Sequence, residues 1–358
     1  MIFEIEFNIK DVIYMFENLA ERDFDVIGIG EVMLRLSPDG KERISQSETF
    51  DKMAGGSELN VVSGIAQLGL RTGIITKLPD NGIGRFIENK IRYSGTSNDY
   101  IVFDKSENKR LGVYYYESGA YPRVSVVEYD RKNSSFVNFK KSDIDKSVYN
   151  STKLFHLSGI TLALNPVLRA EVIDMIKEFK ASGTRVSFDV NYRAGLWDEE
   201  TARSVIDSIM PYIDILFVSE ETSRRMFAKK GDIRDIQKEF ASEFPNLKII
   251  ASTKRTATSP TKHNFTSTVY DCENNISYSE EPYKDIEVVD RIGSGDAYVA
   301  GALFGILKYR DIEAAAAFGD AMSAVKNTIP GDMTVCDYKD ICRVIDAHKD
   351  GAKSEMVR

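Results

Sequence analysis

The chain has 358 residues, 42% of them apolar, which suits one large α/β domain with an elaboration or two domains. A net charge of −8 argues against a general nucleic-acid binder and points to a small-molecule partner, whose anionic groups would need a local positive pocket. Cys272, Cys336 and Cys342 have neither metal-ligand spacing nor an even count for disulfides, which fits a reducing, cytoplasmic setting, and no run reaches the roughly 20 apolar residues of a membrane span.

Residues 1–24, MIFEIEFNIKDVIYMFENLAERDF, turn acidic early and lack the cationic start and cleavage site of a signal peptide; they read as an N-terminal extension, with IKDVIYMFENLAER as an amphipathic helix. DVIGIGEV (25–32) reads as a buried strand, SELNVVSGIAQLGL (57–70) as a helix, TGIITKL (72–78) as a strand and IGRFIENKIRYSG as a helix. The character then changes. DYIVFDK, RLGVYYYES and RVSVVEYDR are three β-rich runs without intervening helices, to which ERISQSETF (42–50) adds a candidate fourth.

From KLFHLSGI onward strand and helix patterns alternate again, through RVSFDVN, DILFVSE and LKIIAST with helices between them. This predicts an α/β fold, a doubly wound, mostly parallel sheet flanked by helices and covered by a small antiparallel β lid. The α/β domain is expected from 25–33, 50–97 and 138–350, and the lid from 34–49 and 98–137. Ligands of such sheets bind at the carboxyl ends of the strands, so the polar residues there are candidates: NYR (191–193), SEET (219–222) and STKR (252–255).

VVDRIGSGDAYVAGALFGIL (288–307) sets Asp296 directly behind Gly293, Ser294 and Gly295 at the start of an apolar helix pattern. A helix N-terminus presents unpaired N–H groups and partial positive charge, and glycines let an anion approach the backbone closely. A carboxylate beside a phosphate held there is placed to take the proton of an attacking hydroxyl. By itself the stretch reads more readily as an acidic cap on a helix start.

DRIGSGDAYVAG resembles the DTxGAGD motif of the ribokinase-like (PfkB) carbohydrate kinases, and GGSELNVVSGIAQLG (55–69) resembles their GGxxxN motif, in the family's order and separation. Further stretches, among them GEVMLRLSP, TKLPDNGIG, RLGVYYYESGA, HLSGITLAL, DVNYRAGLW and NTIPGD, resemble the 2-keto-3-deoxygluconate kinase subgroup, in which ATP, with Mg²⁺, phosphorylates the terminal hydroxyl of a keto sugar acid.

The resemblance makes Asp296 the catalytic base and Gly293, Ser294 and Gly295 the anion hole. It implies substrate contacts at Gly56, Asn60, Tyr114, Tyr129, Arg131, Arg193 and Asp332, and nucleotide contacts at Asn191, Ser219, Thr253, Arg255, Asn327, Gly293 and Gly295. A carboxylate-bearing substrate calls for arginine, and Arg131 and Arg193 stand in different layers of the expected fold; a neutral sugar would leave both charges unpaired when the lid closes. A monovalent cation is an additional candidate cofactor, and a homodimer through the lid is the expected assembly.

The sequence departs from the family where many members carry NxxE. Here Ser219-Glu220-Glu221-Thr222 stands, so either Glu221 takes the acid's place as metal ligand or the metal is held mainly through water and ATP phosphates. KRTATSPTKHN replaces the usual glycine-rich nucleotide loop; His156 in LFHLSGI is expected as a core histidine, and His263 and His348 show no partner spacing. A fructokinase- or ribokinase-like enzyme and an inactive sugar-binding regulator remain alternatives. A nicotinamide enzyme is disfavoured, since GIGEVM lacks the third glycine of GxGxxG and continues as strand.

Overall fold

The computed structural model describes residues 14–16, 21–259 and 261–351. The expected N-terminal helix falls outside these, save Tyr14–Phe16, a 3₁₀ turn whose Met15 and Phe16 are buried, and residues 21–22, which are not helical. The elements run β1 (Phe24–Ile29), β2 (Met33–Ser37), β3 (Asp51–Gly55), α1 (Ser57–Gln67), β4 (Thr72–Pro79), α2 (Gly82–Tyr93), β5 (Ile101–Asp104), β6 (Val113–Glu117) and β7 (Val126–Asp130). There follow β8 (Thr152–Ser158), α3 (Gly159–Ala163), α4 (Pro166–Ala181), β9 (Arg185–Asp189), α5 (Glu199–Ile209), β10 (Ile215–Phe217), α6 (Glu220–Arg225) and α7 (Ile233–Glu243). The last are β11 (Ile249–Ser259), β12 (Lys262–Asp271), β13 (Ile276–Ser279), β14 (Tyr283–Glu287), α8 (Ser294–Tyr309), α9 (Ile312–Asn327) and α10 (Tyr338–Lys349).

The main sheet has the order β13-β12-β11-β10-β9-β8-β1-β4-β5, with β14 also on β12. All neighbours from β11 to β5 are parallel, and their near-continuous apolar runs are covered on both faces, as a parallel sheet requires. At β1 the chain winds first toward β4 and β5 and later toward β8 and β9. This reversal opens a crevice at the carboxyl ends of β1 and β8, the usual ligand position in open α/β sheets. Helices α1, α8 and α9 pack over one face; a Cβ on Gly301 would run into the Phe318 carbonyl, so glycine is what lets α8 and α9 approach so closely.

A second sheet, β3-β2-β6-β7, grows out of this crevice, because β2 follows β1 after only three residues. Two antiparallel pairings flank one parallel pairing, β2 with β6.

Three expectations need correction. Ile101–Asp104 belongs to the main sheet, parallel to β4, because α2 acts as a crossover helix that returns the chain in the same direction. Residues 42–50 form turns, and the lid strand beside β2 is Asp51–Gly55. Residues 253–259, expected as a nucleotide loop, continue β11 into a long antiparallel hairpin with β12, in keeping with their threonine content. His156, expected to be a core residue, is fully buried against Ser187 Oγ at 3.1 Å, and burial pushes its pKa down to about 3. Among the described residues no helix is long and apolar enough to cross a membrane.

Candidate active site

The turn into α8 is built by its glycines. Gly293 adopts φ +82°, in the left-handed region, and a Cβ there would strike the carbonyl oxygen of Asp332. Ser294 and Gly295 then open a 16-residue helix, whose first turn directs backbone N–H groups toward the crevice. No side chain caps this helix start.

Asp296 lies in the first turn of α8. Its carboxylate accepts from Ser57 Oγ at 2.8 Å and from Asn60 Nδ2 at 2.7 Å, both on α1. Ser57 Oγ in turn accepts from Asn191 Nδ2 at 2.9 Å, at the end of β9. Burial raises the pKa of Asp296, and the donors Asn60 and Ser57, then Arg193, oppose that shift by favouring the charged form. Asp189, the last residue of β9, is raised to about 7, first by burial and next by the neighbouring Asp296 carboxylate.

Two chambers meet beside this turn. One, of about 490 Å³, lies under the lid sheet and is lined by Glu31, Gly56, Asn60, Tyr114, Tyr129, Arg131, Asp296 and Asp332, among others. The other, of about 630 Å³, runs along the ends of β10 and β11 and is lined by Ser219, Glu221, Thr253 and Phe265, among others. Asp189, Asn191, Arg193, Arg255, Ser294 and Gly295 line both. Among the described residues Arg193, Arg255 and Arg291 have no carboxylate within 4 Å, so three arginines stand near the junction outside any direct ion pair, with Asp189 and Asp296 as longer-range neighbours of Arg193.

Several residues singled out in the sequence are engaged with protein partners. Arg131 gives Nε and Nη2 to Glu31, which is 4% exposed and also accepts from Ser134 Oγ. The expectation that a neutral ligand would leave Arg131 unpaired is therefore wrong; Arg193 is exposed, and among the described residues its side chain bonds its neighbour's carbonyl, Tyr192 O, at 3.0 Å. Tyr114 is buried and gives its hydroxyl to Asp332, while Tyr129 is 56% exposed, its ring 5.7 Å from that of Tyr114 and 5.6 Å from the Arg131 guanidinium. Ser219 caps α6, accepting from Thr222 N at 3.0 Å and donating to Thr222 Oγ1 at 2.8 Å, which shows what threonine does at the family's usual acid position.

Glu221 is exposed on the rim of the larger chamber and lies 3.6 Å from Arg225. Asn327, expected as a nucleotide contact, is fully buried, donates to Ser323 O at 2.7 Å and lines neither chamber, because the last turn of α9 packs inward. Among the described residues no group of three or more His, Cys, Asp or Glu side chains is arranged around a common metal position.

The sequence reading missed Ser57, Glu31, Asp189, Arg291, Glu58 and Arg35. Glu58 is buried under the smaller chamber and accepts from Ser158 N, Ser158 Oγ and Thr161 Oγ1, which locks the start of α1 to the end of β8. Arg35, on lid strand β2 and 3% exposed, bonds Asp332 Oδ1 at 2.8 Å, Asp290 Oδ2 at 2.6 Å and Ser37 Oγ at 2.8 Å. An arginine between leucines on a mainly apolar strand was the available signal, since a buried charge must find partners.

A lid over a two-chambered crevice, with a glycine turn and an acidic residue opening a helix at the junction, is the architecture of the ribokinase-like sugar kinases. The chain belongs to the pfkB family of carbohydrate kinases, whose pattern it matches over residues 23–337. It is similar to the 2-dehydro-3-deoxygalactonokinase of Haloferax volcanii, 30% identical over 90% of this chain and 96% of that protein. It is 28% identical to the 5-dehydro-2-deoxygluconokinase of Shouchella clausii, covering 85% and 90%. The crystal structure of 2-dehydro-3-deoxygluconokinase from Thermotoga maritima superposes with a TM-score of 0.84 at 34% identity, covering 90% of this chain and 99% of that one.

Proposed function

We propose that this carbohydrate kinase transfers the γ-phosphoryl group of ATP to the terminal hydroxyl of a sugar acid, 2-keto-3-deoxygluconate being the foremost candidate, to give 2-keto-3-deoxy-6-phosphogluconate. The observation that carries the reading is Asp296, held by Asn60 and Ser57 where the two chambers meet, beside the Gly293–Gly295 turn. The names of the relatives support a keto-deoxy sugar acid as substrate.

In this reading the sugar acid lies in the smaller chamber and ATP in the larger. Burial raises the pKa of Asp296 and so strengthens it as a base, while Asn60 and Ser57 orient the carboxylate toward the terminal hydroxyl and oppose its protonation. The N–H groups of Ser294 and Gly295 face the negative charge that develops on the phosphoryl oxygens, and Arg255 and Arg291 add to the field. Arg193, where the two chambers meet, pairs with the substrate carboxylate, and Arg131, oriented by Glu31, presents its remaining donors to the smaller chamber. Gly56, Tyr129 and the Tyr114–Asp332 pair shape the pocket around the sugar.

The donor set fits a magnesium ion bound with ATP. Asp189, adjacent to Asp296 and open to both chambers, and Glu221 on the rim would hold it, directly or through water. Bound there, the ion supplies neutralisation of phosphate charge. Thr253 and Ser219 border the same chamber as candidate nucleotide contacts. The lid ends on edge strand β7, with Tyr121, Val124 and Tyr129 exposed, and a homodimer through this edge, checked by light scattering, is part of the proposal.

The deciding experiment is an ADP-release assay with ATP and Mg²⁺ across 2-keto-3-deoxygluconate, its galactonate epimer, 5-keto-2-deoxygluconate, fructose and ribose. A kcat/KM highest for a keto-deoxy acid supports the proposal; preference for a neutral sugar replaces it with a fructokinase- or ribokinase-like activity.

A further inference from the structure

Lysine is almost never fully buried unless it is paired, because desolvating its ammonium costs several kcal/mol. Lys326, in the last turn of α9, has a relative exposure of 0%. Among the described residues no carboxylate lies within 4 Å of its Nζ. It donates instead to two backbone carbonyls, Asp290 O and Ile329 O, each at 3.1 Å. Backbone carbonyls converging on a desolvated positive charge are how proteins replace the water shell of a potassium-sized ion.

What these carbonyls belong to gives the contact its meaning. Residues 289–290 are tied to the end of α9 by Val289 N and Asp290 N, both donating to Asn327 O. Gly331 N donates to Asp290 Oδ2 at 3.0 Å, and Arg35 bridges Asp290 to Asp332. The Gly293 turn then rests on the backbone of Asp332. The ammonium therefore sits between the two loop segments, 289–293 and 329–332, whose spacing sets the glycine turn. Burial works against the charge, while Asp290 and Asp332 act at longer range to retain it.

We propose that the Lys326 ammonium is a built-in monovalent cation: a positioning group that holds the Asp290 and Ile329 carbonyls beneath the phosphate-binding turn, so that turnover needs no added monovalent ion. This rests on the reading of Gly293–Gly295 as the phosphate site. Lys326 touches no substrate; it acts through the two loops, and its charge and size, not its chemistry, are what the site uses.

The test uses the full-length enzyme with ATP, Mg²⁺ and the best substrate of the panel above, with ADP measured directly so that no coupling enzyme responds to salt. Potassium chloride is titrated to about 200 mM against tetramethylammonium chloride at constant ionic strength, which keeps general screening equal in both arms. The expected wild-type result is the same kcat in both. Lys326→Ala leaves a space of ammonium size lined by carbonyls; its kcat should fall roughly tenfold to a hundredfold, the scale of losing part of a preorganised anion hole. Potassium, ammonium or methylammonium should restore it, and tetramethylammonium should not. Lys326→Met fills the space without charge and should stay low in every salt.

Activation of the wild type several-fold by potassium would overturn the proposal, as would a Lys326→Ala enzyme with full kcat or one that no small cation restores. If that variant does not fold, the wild-type salt comparison decides alone. Full turnover in Asp296→Asn would instead sink the reading of the site, so the two failures are distinguishable.

Discussion

Asn60 donates its side-chain amide to Oδ2 of Asp296 at 2.7 Å, across 236 positions of sequence. The bond joins the helix after the first glycine pair to the helix after the second, so the two motifs of the sequence meet in one candidate site. Both helices start at the crevice where the sheet reverses its winding direction, which is why their first turns face each other.

Asp296→Asn keeps the size of the side chain and removes the proposed proton acceptor. We expect kcat to fall by roughly 10²–10⁴, the usual contribution of a general base, with ATP affinity little changed. Steady-state kinetics and nucleotide titration of the variant check this; near-normal turnover would remove Asp296 from its assigned role.

Arg193→Ala tests recognition of the carboxylate. Loss of one charge-assisted pair should raise KM for the sugar acid by about 10- to 100-fold, corresponding to about 1.5–3 kcal/mol. KM for any neutral sugar that is turned over should change much less. Equal losses for acid and neutral sugars would mean that Arg193 does not contact the carboxylate.

Asp189 gives a pH signature. Its carboxyl, ordinarily at 3.8, is raised to about 7 by burial and by Asp296. The folded protein then retains a proton that the unfolded chain has released, so the stability from this group is complete below pH 3.8 and is lost as pH rises through about 7. The side chain keeps one face open to the cleft, where water moderates the effect. The Tm of the ligand-free protein should fall from about pH 5 to pH 7.5 more steeply in the wild type than in Asp189→Asn. Parallel slopes would exclude Asp189 as the titrating group.

Arg35→Met should be strongly destabilising. Burial disfavours the guanidinium charge, but Asp332 and Asp290 outweigh it and raise its pKa. Removing the cation strands two buried carboxylates, a loss of about 3–5 kcal/mol in urea unfolding. A cost below about 1 kcal/mol, the range of a surface pair, would show that the cluster is not sealed from water.

Much of the architecture was legible because it is written locally. The period-3.6 and continuous apolar patterns predict the helices and buried strands, and the glycine-Ser-glycine-Asp turn identifies itself since only glycine accepts the backbone of Gly293. Strand partnership was not legible. Ile101–Asp104 reads like its lid neighbours in isolation, and only the crossover through α2 decides that it joins β4.

The sequence by itself determined the two glycine motifs, the alternating sheet and the residue types needed at a phosphoryl-transfer site, because each depends on backbone conformation and short-range periodicity. Tertiary structure alone decided which charges are already spent. Arg131 is committed to Glu31 and Arg193 is not; Asp332 is held by Arg35 and Tyr114; Lys326 points into carbonyl oxygens. Those pairings lie up to 297 residues apart. Each is set by desolvation at a place where separate loops converge, and no local pattern encodes where that convergence falls.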